Sequence, residues 1–293
     1  MDGHAIEGFG LPHLARAGLS VEPNPKLAQA ETRADCAFTI QAVYHGKSNF
    51  KHHGIPDVVI ETPLRHLFGR VVMDTILEAK NLSFSYARRT IWHDVSLSLS
   101  PGDVALLWGV NGAGKTTLLR CLAGWSRPNE GMVAVCGRDL ARSTRREGSD
   151  VFFVSDTPPF YEDLTAREHI LFLLRANGLS DREVHALELA DRFHLAESLD
   201  AYPSSFSRGM RYKLAIVLAL SLAPALLLMD EPYGPIDHTS AVLLSHEIEL
   251  LAASGSAVLL SCHQVPPELA ATMQLELEDK VLDVKKSTAE MMP

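Results

Sequence analysis

A glycine-rich loop that ends in lysine and threonine is the part of the sequence best suited to chemistry. It follows the pattern G-x-x-x-x-G-K-T and runs from Gly109 to Thr116. Glycines in such a loop let successive backbone N–H groups turn inward onto phosphate oxygens, and the helix that follows adds its dipole. We expect Lys115 to reach the β- and γ-phosphates of a nucleotide and Thr116 to offer its hydroxyl to Mg²⁺. The residues predicted to hold the nucleotide are Gly109, Val110, Asn111, Gly112, Ala113, Gly114, Lys115, Thr116 and Thr117.

The segments on either side of this loop provide the context that the pattern requires. The apolar run Val104 to Trp108 predicts a buried strand immediately before the loop. An apolar-faced helix is expected after it, from Thr117 to a closing glycine, Gly124. This order of strand, loop and helix distinguishes a phosphate-binding loop from an ordinary glycine-rich turn.

An acidic pair and a histidine follow two further apolar runs. Residues 225–229 predict a second buried strand, and Asp230 and Glu231 stand at its carboxyl end. We expect Asp230 to hold Mg²⁺ directly or through water, and Glu231 to polarise the attacking water as general base. Residues 257–261 predict a third strand that leads to His263, the expected γ-phosphate sensor. Together with the loop, these residues predict nucleotide hydrolysis.

Composition and charge narrow the class of protein. The chain of 293 residues has a formal net charge of −9, which argues against nucleic acid as the main partner because phosphate backbones attract clustered cations. No stretch of the sequence approaches the roughly 18 apolar residues that span a bilayer. The cysteines show neither a C-x-x-C pair nor metal-ligand spacing, so they are predicted to be reduced thiols of a cytosolic protein. They are Cys36, Cys121, Cys136 and Cys262.

The first 72 residues differ in character from the rest of the chain. They are scattered with His, Pro and Gly, show no sustained periodicity, and are expected to be largely disordered. They are either a regulatory extension or the result of a reading frame started too far upstream. We favour the second interpretation because Met73 stands where a compact domain would begin. The predicted folded domain is therefore 73–293, and an intact-mass measurement on the native protein distinguishes the alternatives.

Residues 76 to about 265 resemble the ATPase domain of ATP-binding cassette (ABC) proteins, motif by motif and in the same order. The distinguishing element is Ser207-Arg-Gly-Met, which is similar to the S-x-G-M variant of many export-type ATPases. The resemblance implies that Ser207 and Gly209 open a helix facing the γ-phosphate held by the opposite subunit. A hydroxyl and a residue that permits close backbone approach suit that role. Ser207 also fits a simple N-cap, and the two interpretations are compatible.

The resemblance implies further roles by position. Tyr86 matches the aromatic residue that stacks on adenine, and Asp237 belongs to the loop that communicates across the dimer. Asp156 stands where the family usually has glutamine, and we predict it to be a Mg²⁺ ligand that alters Mg²⁺ dependence or coupling. Pro235 is also unusual for the family and stiffens the segment before Asp237.

The implied fold is α/β, a P-loop NTPase (RecA-like) core with an antiparallel β subdomain and an α-helical ABC subdomain at about 160–222. Within that subdomain, 167–176 and 182–194 have the apolar spacing of amphipathic helices. The implied function is ATP binding and hydrolysis, with ATP and Mg²⁺ as cofactors, by a subunit that forms a homodimer or heterodimer around two ATP molecules. Its implied partner is a membrane-spanning permease, which would hold it at the cytoplasmic face of the membrane, bacterial and inner by expectation. The compact length resembles exporters, including the haem-exporter ATPase of cytochrome c maturation.

Three alternatives compete with this interpretation. A soluble ABC protein acting on ribosomes or DNA usually carries two cassettes or long insertions. A P-loop kinase or GTPase lacks the Ser207 element. A pure interaction protein with an inactive site is disfavoured because its four catalytic positions are all filled. Those positions are Lys115, Asp230, Glu231 and His263.

Overall fold

The computed structural model describes residues 74–87, 89–142, 150–263 and 266–286. The predictions for residues 1–72 and for Met73 as first residue lie outside them. The described strands are β1 (Leu77–Tyr86), β2 (Arg89–Leu99), β3 (Val104–Trp108), β4 (Glu130–Val135), β5 (Arg138–Asp139), β6 (Val151–Val154), β7 (Leu226–Asp230), β8 (Ala257–Ser261), β9 (Met273–Glu278) and β10 (Val281–Lys286). The described helices are α1 (Lys115–Leu122), α2 (Ala166–Ala176), α3 (Glu183–Arg192), α4 (Arg208–Leu222) and α5 (His238–Ala253).

The first sheet is antiparallel and has the order β2–β1–β4–β5. Leu77 at the start of β1 pairs with Leu99 on one side and Val135 on the other. Apolar side chains alternate with polar ones along these strands, as expected when one face of a sheet is buried. This sheet is the antiparallel β subdomain that the sequence predicts.

The second sheet has the order β10–β9–β3–β8–β7–β6 and is parallel except for β10. Its central strands are buried on both faces, which explains why they read as unbroken apolar runs. Along β7, Leu227 and Met229 pack with the helices α2 to α5, whereas Leu226 and Leu228 pack with α1 and the antiparallel sheet. The parallel sheet therefore separates two apolar clusters.

This topology sets the position of the candidate catalytic residues. Strands β3, β7 and β8 are neighbours and run in the same direction, so their carboxyl ends lie at one edge of the sheet. The glycine-rich loop, the acidic pair and His263 each follow one of these ends. Such an edge is where open parallel sheets bind ligands.

Three of the helices lie within the interval predicted to form the helical subdomain. Helix α2 begins with a reciprocal capping box between Thr165 and Glu168. Helix α3 follows a short 3₁₀ turn, and α4 begins after the cap residue Ser207. Buried residues of all three helices belong to one apolar cluster, which includes Ile170 and Leu189. Among the described residues, no helix has the length and apolarity needed to cross a membrane.

His169 joins helix α2 to the segment that precedes it. Its Nε2 accepts a hydrogen bond from the backbone N–H of Tyr161 at 3.0 Å, and its Nδ1 lies 2.8 Å from the carbonyl oxygen of Thr165. Nδ1 must therefore carry the proton. Burial lowers the pKa of His169 to about 4, against the opposing effects of the Thr165 carbonyl and Glu168.

This burial predicts a loss of stability in acid. In the unfolded chain a histidine binds its proton near pH 6.5, whereas folded His169 stays neutral until about pH 4. The contribution to stability is complete above pH 6.5 and falls away as the pH drops to 4, by about 3 kcal/mol in total. Urea unfolding of His169→Gln should show a shallower pH dependence than the wild type over this range. Exposed His185, on α3, supplies the control, since His185→Gln should keep the wild-type slope. An unchanged slope in His169→Gln would contradict the assignment.

Candidate active site

The glycine-rich loop is shaped by close backbone approaches at its two ends. A Cβ atom on Gly109 would lie 2.6 Å from the carbonyl oxygen of Leu277, and one on Gly114 would lie 2.5 Å from Cγ2 of Ile91. Gly114 also has a φ of 104°, which a residue with a side chain rarely adopts. Both glycines are therefore required by the packing of the loop.

Lys115 is the first residue of α1 and is almost fully buried. Its Nζ donates a hydrogen bond of 2.7 Å to the carbonyl oxygen of Gly109 and lies 3.5 Å from that of Val110. Burial lowers the pKa of Lys115, while the carboxylates of Glu231 and Asp230 act in the opposite direction. The two acidic residues thus favour the charged ammonium at the loop.

Asp230 ends β7 and is 2% exposed. Its Oδ2 accepts a hydrogen bond of 2.7 Å from the hydroxyl of Thr116, and its Oδ1 accepts one of 2.6 Å from that of Ser261. One donor belongs to α1, which follows the loop. The other belongs to β8, which pairs with β3, the strand before the loop. Asp230 is therefore held beside the first turn of α1.

Glu231 has a left-handed backbone, with a φ of 52°. Its backbone N–H donates to Oγ of Ser261 at 2.9 Å. Its Oε1 lies 2.5 Å from Nε2 of His263, and both side chains are partly exposed. The structure thus brings together the predicted general base and the predicted phosphate sensor at the edge of the sheet.

The Ser207 element packs against the segment that follows the acidic pair. Ser207 caps α4, its Oγ accepting from the N–H of Met210 at 3.2 Å. A Cβ atom on Gly209 would lie 2.8 Å from the carbonyl oxygen of Pro235, so glycine is required there. Asp237 caps α5 and lies 2.5 Å from Nζ of Lys213, whose hydrogen bond lowers the pKa of the Asp237 carboxyl.

Tyr86 and Asp156 have surroundings that the sequence does not reveal. Tyr86 is half exposed at the end of β1, with its ring edge-on to Phe84 at 4.9 Å between centroids. Asp156 forms an ion pair with Arg208, from its Oδ1 to Nη2 at 2.5 Å. The contact places Asp156 beside the Ser207 element, whereas the predicted metal ligands Thr116 and Asp230 bond to each other.

Comparison with known proteins decides the family. The ATP-binding protein EcsA of an ABC-type transporter of Bacillus subtilis (strain 168) is 32% identical over 191 residues, which cover 64% of this chain and 77% of that protein. The chain belongs to the ABC transporter ATP-binding proteins. The family model for ABC transporters matches residues 92–234.

Two further relatives support the same assignment. The lipopolysaccharide export ATP-binding protein LptB of Acidithiobacillus ferridurans is 32% identical over 66% of this chain and 82% of its own length. A solved ATP-binding subunit of an ABC transporter superposes with a TM-score of 0.68 at 31% identity, covering 72% of this chain and 90% of that structure. The predicted fold class is confirmed, and the chain is an ATP-binding ATPase subunit of the ABC family.

Several residues of this ABC ATPase site were missed by the sequence analysis. Ser261 carried a signal, because it ends a strand that neighbours β7 in a parallel sheet. Arg208 belongs to the Ser207 element and Tyr212 and Lys213 follow it, but the sequence assigns none of them a role of its own. Their partners Asp156, Asp230 and Asp237 are distant in sequence, and no local pattern indicates such contacts.

Proposed function

We propose that this ABC ATPase dimerises around two Mg-ATP and drives a membrane-spanning partner, most simply an exporter. The observation that supports this proposal is the network in which Asp230 joins Thr116 of α1 to Ser261 of β8. Lys115 interacts electrostatically with Asp230 of this network and with Glu231, which contacts His263. The side chains proposed for phosphate binding, metal binding and water activation therefore lie at one edge of the sheet.

The oxygen atoms of Thr116 and Asp230 fit a magnesium ion. Mg²⁺ prefers hard oxygen ligands and is usually held by one or two carboxylates together with substrate phosphates. Within the described part of the chain, no group of three or more His, Cys, Asp or Glu side chains could form a protein-only metal cage. The Thr116 hydroxyl and the Asp230 carboxylate oxygen, 2.7 Å apart, match the small number of protein ligands that a phosphate-bound Mg²⁺ needs. When bound, the ion would neutralise charge on the phosphate oxygens.

Glu231 is the residue that we assign to water activation. Its carboxylate is partly exposed, so a water molecule can reach it, and its contact with His263 fixes its direction. The carboxylate accepts a proton from the attacking water. We assign to His263 the contact with the transferred phosphoryl group, and to Lys115 the balance of its charge.

Dimerisation is proposed from the Ser207 element. Ser207 is exposed at the N-terminus of α4, a helix of 15 residues whose positive end favours anions. An ATP molecule held by one subunit would meet this N-terminus in the other, so ATP joins the subunits. Hydrolysis then adds product charge and loosens the joint.

The proposed transport role and its direction are inferred from the similar proteins. Two of them are named as ATP-binding proteins of an ABC-type transporter and of lipopolysaccharide export. By analogy, this chain would bind a membrane-spanning permease and act peripherally at the cytoplasmic face of the membrane. The haem-exporter resemblance stays a prediction.

The test combines assembly with partner identification. Purified protein should bind ATP by calorimetry and should form a dimer by light scattering when ATP and Mg²⁺ are present. Affinity purification from detergent-solubilised native membranes should then recover a membrane-spanning protein. Recovery of ribosomes or DNA would favour the non-transport alternative and refute the proposal.

Asp156→Gln tests the proposed metal role of Asp156. Removal of a carboxylate from the metal environment should raise the Mg²⁺ concentration for half-maximal ATPase activity about tenfold. Stability should change by less than about 1 kcal/mol, because the pair with Arg208 is exposed. The measurement is a Mg²⁺ titration of phosphate release.

Arg208→Gln is the matched control for that experiment. It breaks the same ion pair but keeps the carboxylate of Asp156. A Mg²⁺ shift in Asp156→Gln alone would support a ligand role. Equal shifts in both variants would assign the effect to the lost ion pair, and an unchanged titration would exclude Asp156 from the metal environment.

A further inference from the structure

The peptide group between Asp230 and Glu231 is held on both of its sides. On one side, the N–H of Glu231 donates to Oγ of Ser261 at 2.9 Å. On the other, the carbonyl oxygen of Asp230 accepts a hydrogen bond of 2.8 Å from the hydroxyl of Tyr212. This peptide leads into a residue with a left-handed φ of 52°, a conformation that persists only where its surroundings enforce it. The orientation of the peptide determines where the Glu231 carboxylate points.

Tyr212 donates its hydrogen bond from the apolar interior. It is fully buried and belongs to α4, the helix that begins at the Ser207 element. Gly209, Tyr212 and Lys213 are spaced i, i+3 and i+4, so they line one face of the helix. Gly209 approaches the carbonyl of Pro235, and Lys213 pairs with Asp237.

One face of α4 therefore contacts the segment 230–237, the acidic segment, at three successive points. The contacts reach Asp230, Pro235 and Asp237, which lie at the beginning, middle and end of that segment. Two of them involve groups on the loop after the acidic pair. The contact made by Tyr212 is the one that reaches the peptide adjoining the general base.

We propose that Tyr212 is a positioning residue for ATP hydrolysis, whose hydroxyl fixes the Asp230–Glu231 peptide and thereby aims the Glu231 carboxylate. This inference rests on the proposed role of Glu231 and adds a connection to it. Because Tyr212 is rigidly part of α4, a displacement of that helix would move the carbonyl of Asp230 with it. The position of the Ser207 element, which is proposed to meet ATP of the opposite subunit, then controls the alignment of the general base.

Tyr212→Phe removes the hydroxyl and keeps the ring that fills the core. The positioning role predicts that kcat for ATP hydrolysis falls between about 10-fold and 100-fold, the range expected for a misplaced catalytic group. The Kd for ATP, measured by calorimetry, should stay within about twofold of the wild type, since the residues proposed to hold the nucleotide are untouched. A purely structural role would instead lower stability and weaken ATP binding together, without this separation.

Tyr233→Phe is the matched control. The hydroxyl of Tyr233 is hydrogen-bonded to Oγ of Ser245 on α5 and makes no described bond to the acidic pair. This variant should keep the wild-type kcat. A second variant replaces Tyr212 by 4-aminophenylalanine, which keeps an N–H donor at the same place on the ring and should restore most of kcat.

The outcomes separate the inference from the function on which it rests. Wild-type kcat in folded Tyr212→Phe would overturn the positioning role while leaving the proposed function intact. If Tyr212→Phe does not fold, the 4-aminophenylalanine variant decides, and a folded variant with full ATP affinity but less than a tenth of the wild-type kcat would overturn the role. Absence of ATP hydrolysis in the wild type would overturn both.

Discussion

Glu231→Gln is expected to lower kcat for ATP hydrolysis by about 10²- to 10⁴-fold and to trap an ATP-bound dimer. The glutamine amide has nearly the shape of the carboxylate but cannot accept a proton from water. The side chain lies at the exposed edge of the sheet, and its Oε1 contacts only His263 among the described polar side chains. The substitution should therefore remove water activation without disturbing the fold of the loop, while Lys115 loses one of the two carboxylates that favour its charged ammonium. Because hydrolysis is the step proposed to loosen the dimer, the variant should remain dimeric as long as ATP and Mg²⁺ are present.

Phosphate release and light scattering measure the two parts of this prediction independently. Glu188→Gln, on the exposed face of α3, makes the same chemical change far from the site and should hydrolyse ATP at the wild-type rate. A Glu231→Gln protein that stays monomeric with saturating Mg-ATP would contradict the dimer model. One that hydrolyses ATP like the wild type would remove Glu231 from the role of general base.

The elements that build the site were predictable because their causes are local. A strand buried on both faces must be apolar throughout, and the runs 104–108 and 257–261 are strands with these same bounds. Gly114 is required by its positive φ, so the glycine at this place in the pattern follows directly from the backbone conformation. The three motifs meet in space because the parallel strands that lead to them end at one edge of the sheet.

The start of α1 differs from the sequence expectation for a physical reason. The apolar pattern predicts a helix from Thr117, but the helix begins at Lys115. Its first turn is polar because Lys115 and Thr116 serve the loop and Asp230. Apolar periodicity detects the part of a helix that packs in the core, and a polar functional first turn lies outside that signal.

The contacts that orient the site could not be predicted from one sequence. Tyr212 and Asp230 are separated by 18 residues and Asp156 and Arg208 by 52, and each pair meets only after α4 has packed on the sheet. A tyrosine within an apolar helix reads as a core residue, and its ring is indeed in the core. The group to which its hydroxyl bonds depends on tertiary packing, and tertiary packing leaves no regular spacing of residues in the sequence.

Lys115→Met is expected to weaken ATP binding about 10- to 100-fold, a loss of about 1.5–3 kcal/mol, and to abolish measurable hydrolysis. Methionine keeps an unbranched apolar stem of similar length but has no charge. The lost interaction is that of a buried ammonium with phosphate, which the low-dielectric surroundings strengthen. Calorimetric titration with Mg-ATP gives the change in Kd directly.

A measurement of thermal stability distinguishes the predicted loss of ATP binding from misfolding of the variant. Burial lowers the pKa of Lys115, so the charged ammonium is held in the folded protein at a cost that methionine does not bear. The thermal midpoint of Lys115→Met should accordingly equal or exceed that of the wild type, even as ATP affinity falls. Lys80→Met removes an exposed ammonium from β1 and should change neither quantity. A stable Lys115→Met protein with the wild-type Kd would show that the loop holds nucleotide without its lysine, and the phosphate-binding role assigned to Lys115 would be wrong.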